Sequence, residues 1–103
     1  MYKLKVLPSV KREINRTRLY IADELCNVPA AIKLMKDIRK AMHAIKNNPN
    51  IGKSFEPEKE LKHKHHQKIV RGYILLYWVG EASGVITVSY IFNTKTSYKA
   101  RVF

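Results

Sequence analysis

The sequence predicts an α+β domain of order β-α-α-β-β-β, an antiparallel sheet with a helical hairpin packed on one face and the other face free. Three observations lead there. A short alternating segment opens the chain, two apolar stripes with helical spacing follow, and the C-terminal part carries apolar runs separated by glycines.

Residues 2–7 set Tyr2, Leu4 and Val6 against Lys3 and Lys5, the period-two pattern of a half-buried strand. Pro8-Ser9 interrupts it, and Ser9 is the expected N-cap of the first helix. Val10, Ile14, Thr17, Ile21 and Leu25 then recur at spacings of three and four, with Lys11, Arg12, Arg16 and Arg18 mostly outside that stripe. Asn27-Val28-Pro29 breaks the pattern, and Pro29 suits the first position of a second helix. Its stripe is Ala31, Leu34, Met35, Ile38, Met42 and Ile45, and Asn47-Asn48-Pro49 ends it. Neither stripe can be buried alone, so the two helices need the sheet.

Residues 51–61 read as a loop, with Gly52, Pro57 and the exposed acids Glu56, Glu58 and Glu60. Residues 65–71 form the next strand, turning at Gly72. Residues 73–79 are nearly all apolar, as in a central strand covered on at least one face. Gly80 to Gly84 supplies a hairpin loop, and residues 85–92 are the last strand. A chain of 103 residues has material for one core, so residues 1–103 are expected to be a single domain.

Charge is the unusual feature. Twenty Lys plus Arg against eight Asp plus Glu give a formal +12, which attracts polyanions or acidic proteins at long range. From residue 61 onward a single acid, Glu81, faces seven cations, which assigns the positive field mainly to that half. The lone Cys26 has no disulfide partner and suits a reducing cytoplasm. No apolar run resembles a signal peptide or approaches the ~20 residues of a membrane span, so a cytoplasmic protein without membrane contact is expected. A P-loop, a Gly-rich dinucleotide turn, CxxC and a nucleophile elbow are all missing, and no small-molecule cofactor is expected.

The ordered set of segments resembles a known family. Asn27-Val28-Pro29-Ala30-Ala31, then Leu34, Ile38, Ile45 and Asn48-Pro49-Asn50-Ile51-Gly52, is similar to the Pro-x-Ala-Ala…Leu…Pro-x-x-Gly helical half of RelE/ParE-type toxins. Residues 68–79 resemble that family's most recognisable strand pair, and residues 91–98 fall where it ends its sheet in a basic motif with a tyrosine. The resemblance implies the toxin of a bacterial type II toxin–antitoxin module, neutralised by an antitoxin that lays an extended or helical segment over it. Some relatives cleave mRNA in the ribosome, whereas ParE-type members poison DNA gyrase without known nuclease chemistry. The helical half is nearer the ParE-like side. Two positions depart from the pattern: Gln67 stands where an arginine is common, and Lys95-Thr96-Ser97-Tyr98 where Arg-Arg-Asp-Tyr is common.

Metal-free RNA cleavage needs a base for the 2′-hydroxyl, cations for the phosphorane and an acid for the 5′-oxygen. Arg71 and Lys95 are the candidates to hold the phosphate, and Tyr98 to stack on a base or take part in proton transfer. Lys62, Lys64, Lys68, Lys99 and Arg101 are the candidate RNA-binding cations. In Lys62-His63-Lys64-His65-His66, His63 and His65 would share a strand face, but nothing supplies the remaining ligands, so no metal is expected. His66 is the candidate general acid or base near Arg71, and the bland alternative is an exposed basic strand edge. Tyr73, Tyr77, Trp78, Tyr90 and Phe92 interleave with the cations as in RNA readers, yet most of them must fill the core. The expected function is ribosome-dependent mRNA cleavage, as a metal-independent endoribonuclease with Arg71, Lys95 and Tyr98 as working residues; the alternatives are gyrase inhibition without catalysis and a non-toxic nucleic-acid-binding domain.

Overall fold

The computed structural model describes residues 2–55 and 62–94. Strand β1 (Lys3–Val6) leads into helix α1 (Pro8–Leu19), a wide π-type turn (Tyr20–Glu24) and helix α2 (Val28–Asn47). A two-residue strand β2 (Lys53–Ser54) precedes β3 (His66–Val70), β4 (Tyr73–Gly80) and β5 (Val85–Asn93). The sheet order is β1-β5-β4-β3-β2. This is the α+β arrangement expected, with two differences. β1 joins β5 in parallel, so the sheet is mixed, and β2 extends the far edge through its pairing with β3. The parallel pairing follows from connectivity: the hairpin α1–α2 carries the chain across one face before β4 and β5 return beside β1.

Helix α1 starts one residue before the expected cap. Pro8 occupies its first turn and Leu7 flanks it without a side-chain bond, because a fixed φ and a missing N–H suit that position. The stripe holds through Val10, which is buried, and Ile14 and Ile21, which pack on the core. Leu25 leaves it and is 54% exposed. The cause is the widened turn, where Leu25 N–H donates to the Tyr20 carbonyl at 3.1 Å, five residues back, and shifts the phase of the helix. Asn27 caps α2, its side-chain oxygen accepting from Ala30 N–H at 3.1 Å. Pro29 therefore lies second in the helix, behind Val28.

The stripe of α2 (Ala31, Leu34, Ile38, Ala41, Ile45) is buried against the sheet. It meets Val70, Leu75, Tyr77, Ile86, Val88 and Ile91, with Val10 contributed by α1. Each fully buried aliphatic side chain there is worth about 1.5–3 kcal/mol. β4 is apolar on both faces because both are covered: Ile74 and Leu76 form a second cluster with Phe55, flanked by Tyr90 and Phe92. The face away from the helices is thus not free as expected. His63 lies flat on Trp78, ring centroids 3.7 Å apart and planes 7° from parallel, and His65 is buried beside them.

One bulge matters for that second cluster. Leu76 pairs with Tyr90 but Tyr77 pairs with Val88, leaving Ser89 as an extra residue in β5. Gly52 has a different duty. A Cβ there would stand 2.6 Å from the Tyr77 hydroxyl and 2.7 Å from the Gln67 carbonyl oxygen, so only glycine fits. In return Gly52 N–H donates to that hydroxyl at 2.9 Å, and the hydroxyl donates to the Pro49 carbonyl at 2.7 Å.

Candidate functional site

Arg71 does not end a strand as expected; it is the first residue of the turn joining β3 to β4. With φ of 45° at Arg71 and 79° at Gly72, the pair has the left-handed backbone of a tight I′-type hairpin. Asparagine or aspartate usually takes the first of these places, so the arginine stands there against the backbone preference. Its Nε donates to the Asp37 carboxylate of α2, with the guanidinium side chain 49% exposed and the carboxylate side chain 25%. This contact staples the hairpin tip to the helix. The Arg71 bond holds the Asp37 carboxyl below the usual carboxylate range, against a smaller opposing effect of desolvation, and Lys40 and Lys33 add to the lowering.

The last strand ends at the same place. Thr94 N–H donates to the Gly72 carbonyl at 2.8 Å, so the chain runs toward residue 95 from beside the Arg71 turn. Lys95, Tyr98, Lys99 and Arg101 themselves lie outside the described residues, as do Glu56, Glu58 and Glu60.

His66 stands elsewhere. Arg71 follows it five positions later, just past the end of β3, about 16 Å at strand spacing. Its ring packs on Tyr77 at 5.4 Å between centroids, and its buried Nδ1 has no hydrogen-bond partner among the described residues. The structure therefore does not bring His66 and Arg71 together. Lys68 is half-buried and opposite Leu75, whereas Lys62 and Lys64 are exposed in the segment before β3.

β3 starts at His66, so His63 and His65 precede it and share no strand face, and each has its own partner. His65 Nδ1 lies 2.8 Å from the His63 carbonyl and Nε2 lies 2.9 Å from Ser89 Oγ. A carbonyl only accepts, so Nδ1 carries the proton and neutral Nε2 accepts from the serine hydroxyl. Burial pushes the His65 pKa down, and the charges of His63 and His66 add to this against the effect of the carbonyl bond. Among the described residues, no three His, Cys, Asp or Glu side chains are grouped to hold a metal ion.

Sequence reasoning missed Asp37, and with it the cationic setting of Arg71. The signal was present: Asp37 is the one acid of α2, placed four residues after Lys33 and three before Lys40. Nor is the positive field confined to the C-terminal half. Lys11, Arg12, Arg16 and Arg18 stud α1, and Lys33, Lys36, Arg39, Lys40 and Lys46 stud α2. Between the helices runs a groove floored by Ile14, Met35, Ile38 and Met42 and rimmed by Lys11, Arg18 and Arg39. No helix among the described residues is long and apolar enough to cross a membrane.

A helical hairpin on one face of a small mixed sheet, its first strand parallel to its last, defines a RelE/ParE-like domain. Residues 4–98 match the family model for the ParE toxin of the type II toxin–antitoxin system, parDE, and the chain belongs to that family. It is accordingly the toxin of a type II toxin–antitoxin module, and an antitoxin is its partner. Comparison with curated proteins found no matching relative.

Proposed function

We propose that this toxin arrests growth by binding and poisoning DNA gyrase, without cleaving RNA, and that its antitoxin silences it by covering the helical hairpin. The observation that carries the reading is the separation, among the described residues, of Arg71 from His66. Arg71 is engaged by Asp37 at one end of β3, and His66 packs on Tyr77 at the other. Acid–base catalysis needs its donor and acceptor within hydrogen-bond reach of the same reacting atoms. Membership of the ParE toxin family supports the same reading. For the antitoxin, the groove between α1 and α2 offers an apolar floor and a cationic rim, which suit an acidic amphipathic segment.

One observation favours a second reading, ribosome-dependent mRNA cleavage: the Thr94–Gly72 bond sets the end of β5 beside the Arg71 turn. In that case Arg71→Ala with Lys95→Ala abolishes toxicity while antitoxin binding persists. The deciding experiment induces the protein without antitoxin and measures two things in the same cells, new RNA 5′ ends and gyrase–DNA cleavage complexes. Accumulated cleavage complexes with intact mRNA are expected. Fresh 5′ ends inside coding sequences, lost in the double variant, would replace gyrase poisoning with cleavage.

A further inference from the structure

We propose that Arg71, Lys33 and Lys40 form a phosphodiester site for a nucleic-acid backbone, in which the Asp37 carboxylate holds the guanidinium until a phosphate displaces it. The inference goes beyond the gyrase reading, because it concerns a contact made by the isolated chain.

Four charged groups meet here from two elements. Arg71 projects from the β3–β4 turn, and Lys33, Asp37 and Lys40 follow one another at helical spacing along α2. Three cations surround one acid, so the cluster keeps an excess of positive charge while its arginine is paired. Lys33 and Lys40 are seven residues apart, about 10 Å along the helix axis, a span that covers successive phosphates of a strand.

The arginine sits where backbone preference argues against it, and its guanidinium stays half exposed. A guanidinium takes phosphate oxygens as readily as carboxylate oxygens. The guanidinium side of the pair is half exposed, so solvent weakens the staple and an incoming phosphate can reach Arg71 from outside. An incoming carboxylate would offer Arg71 nothing that Asp37 does not already supply, and it would have to offset the entropy of association. A nucleic-acid strand brings a further driving force. Each phosphate it neutralises releases condensed counterions, which an isolated carboxylate lacks. Asp37 thus acts as a threshold that favours polyanions of closely spaced phosphates over single anions and acidic peptides.

The test uses the purified full chain and labelled single-stranded DNA, the same sequence as RNA, and polyglutamate, followed by anisotropy across a salt series. Asp37→Asn is expected to tighten nucleic-acid binding about threefold or more and to steepen the salt dependence by about one phosphate contact. Glu81→Gln makes the same change in net charge just past the opposite end of β4, where Tyr2 donates to it, and should change affinity less than about twofold. In an Arg71→Ala background the gain from Asp37→Asn should vanish, with thermal melts confirming that each variant is folded. Equal gains from Asp37→Asn and Glu81→Gln would reduce the effect to the field of the whole molecule and overturn the site. A gain that survives Arg71→Ala, or polyglutamate bound as tightly as DNA, overturns it as well. Gyrase poisoning can fail in cells while this binding stands, and the reverse, so the two readings are separable.

Discussion

His65 Nε2 lies 2.9 Å from Ser89 Oγ, joining the segment before β3 to the bulge of β5 across the face opposite the helices. Phe55 N–H donates to the His65 carbonyl at 3.0 Å, so the same residue also ties the end of β2 to this segment. The bond exists because the extra residue in β5 places Ser89 within reach of the imidazole.

Stability should fall with acid. The folded His65 has a pKa below its ordinary value near 6.5, chiefly through burial, while the unfolded chain keeps the ordinary value. Between the two, the unfolded state binds more protons, so stability declines as pH drops through 6.5 and below, and this contribution is flat well above 7. Urea midpoints at pH 5.5 and 7.5 measure the slope, and His65→Gln should make it shallower. An unchanged slope in that variant would show that His65 is not its source.

Ser89→Ala leaves the imidazole Nε2 buried without its partner. A loss of about 1–3 kcal/mol is expected in equilibrium unfolding. A neutral result would mean that water replaces the hydroxyl.

Gly52→Ala pushes a methyl group against the Gln67 carbonyl and the Tyr77 hydroxyl. A loss of about 2 kcal/mol or more is expected, typical of overpacking beside backbone. Tyr77→Phe, which removes the bonds with Gly52 and Pro49, should cost about 1–3 kcal/mol. The double variant should recover only part of the strain, since the Gln67 carbonyl remains in the way; full recovery would place the whole clash on the hydroxyl.

Asn27→Ala deletes the only side-chain cap found on either helix start, and about 1 kcal/mol should be lost. Ile45→Ala, at a fully buried position of the same helix, should cost about 2–5 kcal/mol. Thermal melts that rank the two in the opposite order would mean that α2 is held by its end rather than its core face.

Element types were legible because local periodicity reports burial. Leu4 and Val6 against Lys3 and Lys5 mark β1, and Leu34, Ile38 and Ile45 mark the inner side of α2. Leu25 misled, because a π-type turn changes the helical phase without any signature in residue type. The covering of the second face was also illegible. His63, a polar residue in a basic run, reads as solvated until Trp78 is found beneath it.

By itself the sequence determined the charge, the two amphipathic helices, the apolar central strand and the family likeness, all properties of residue type and near-neighbour spacing. The tertiary structure alone decided the parallel place of β1, the Ser89 bulge, and the partners of Arg71 and His65. Asp37 and Arg71 are 34 residues apart, and His65 and Ser89 are 24 apart. No local pattern encodes such contacts: they form only when burial of the helix stripes and of both faces of β4 brings distant segments together, and the charged and polar groups then take the partners this packing leaves within reach.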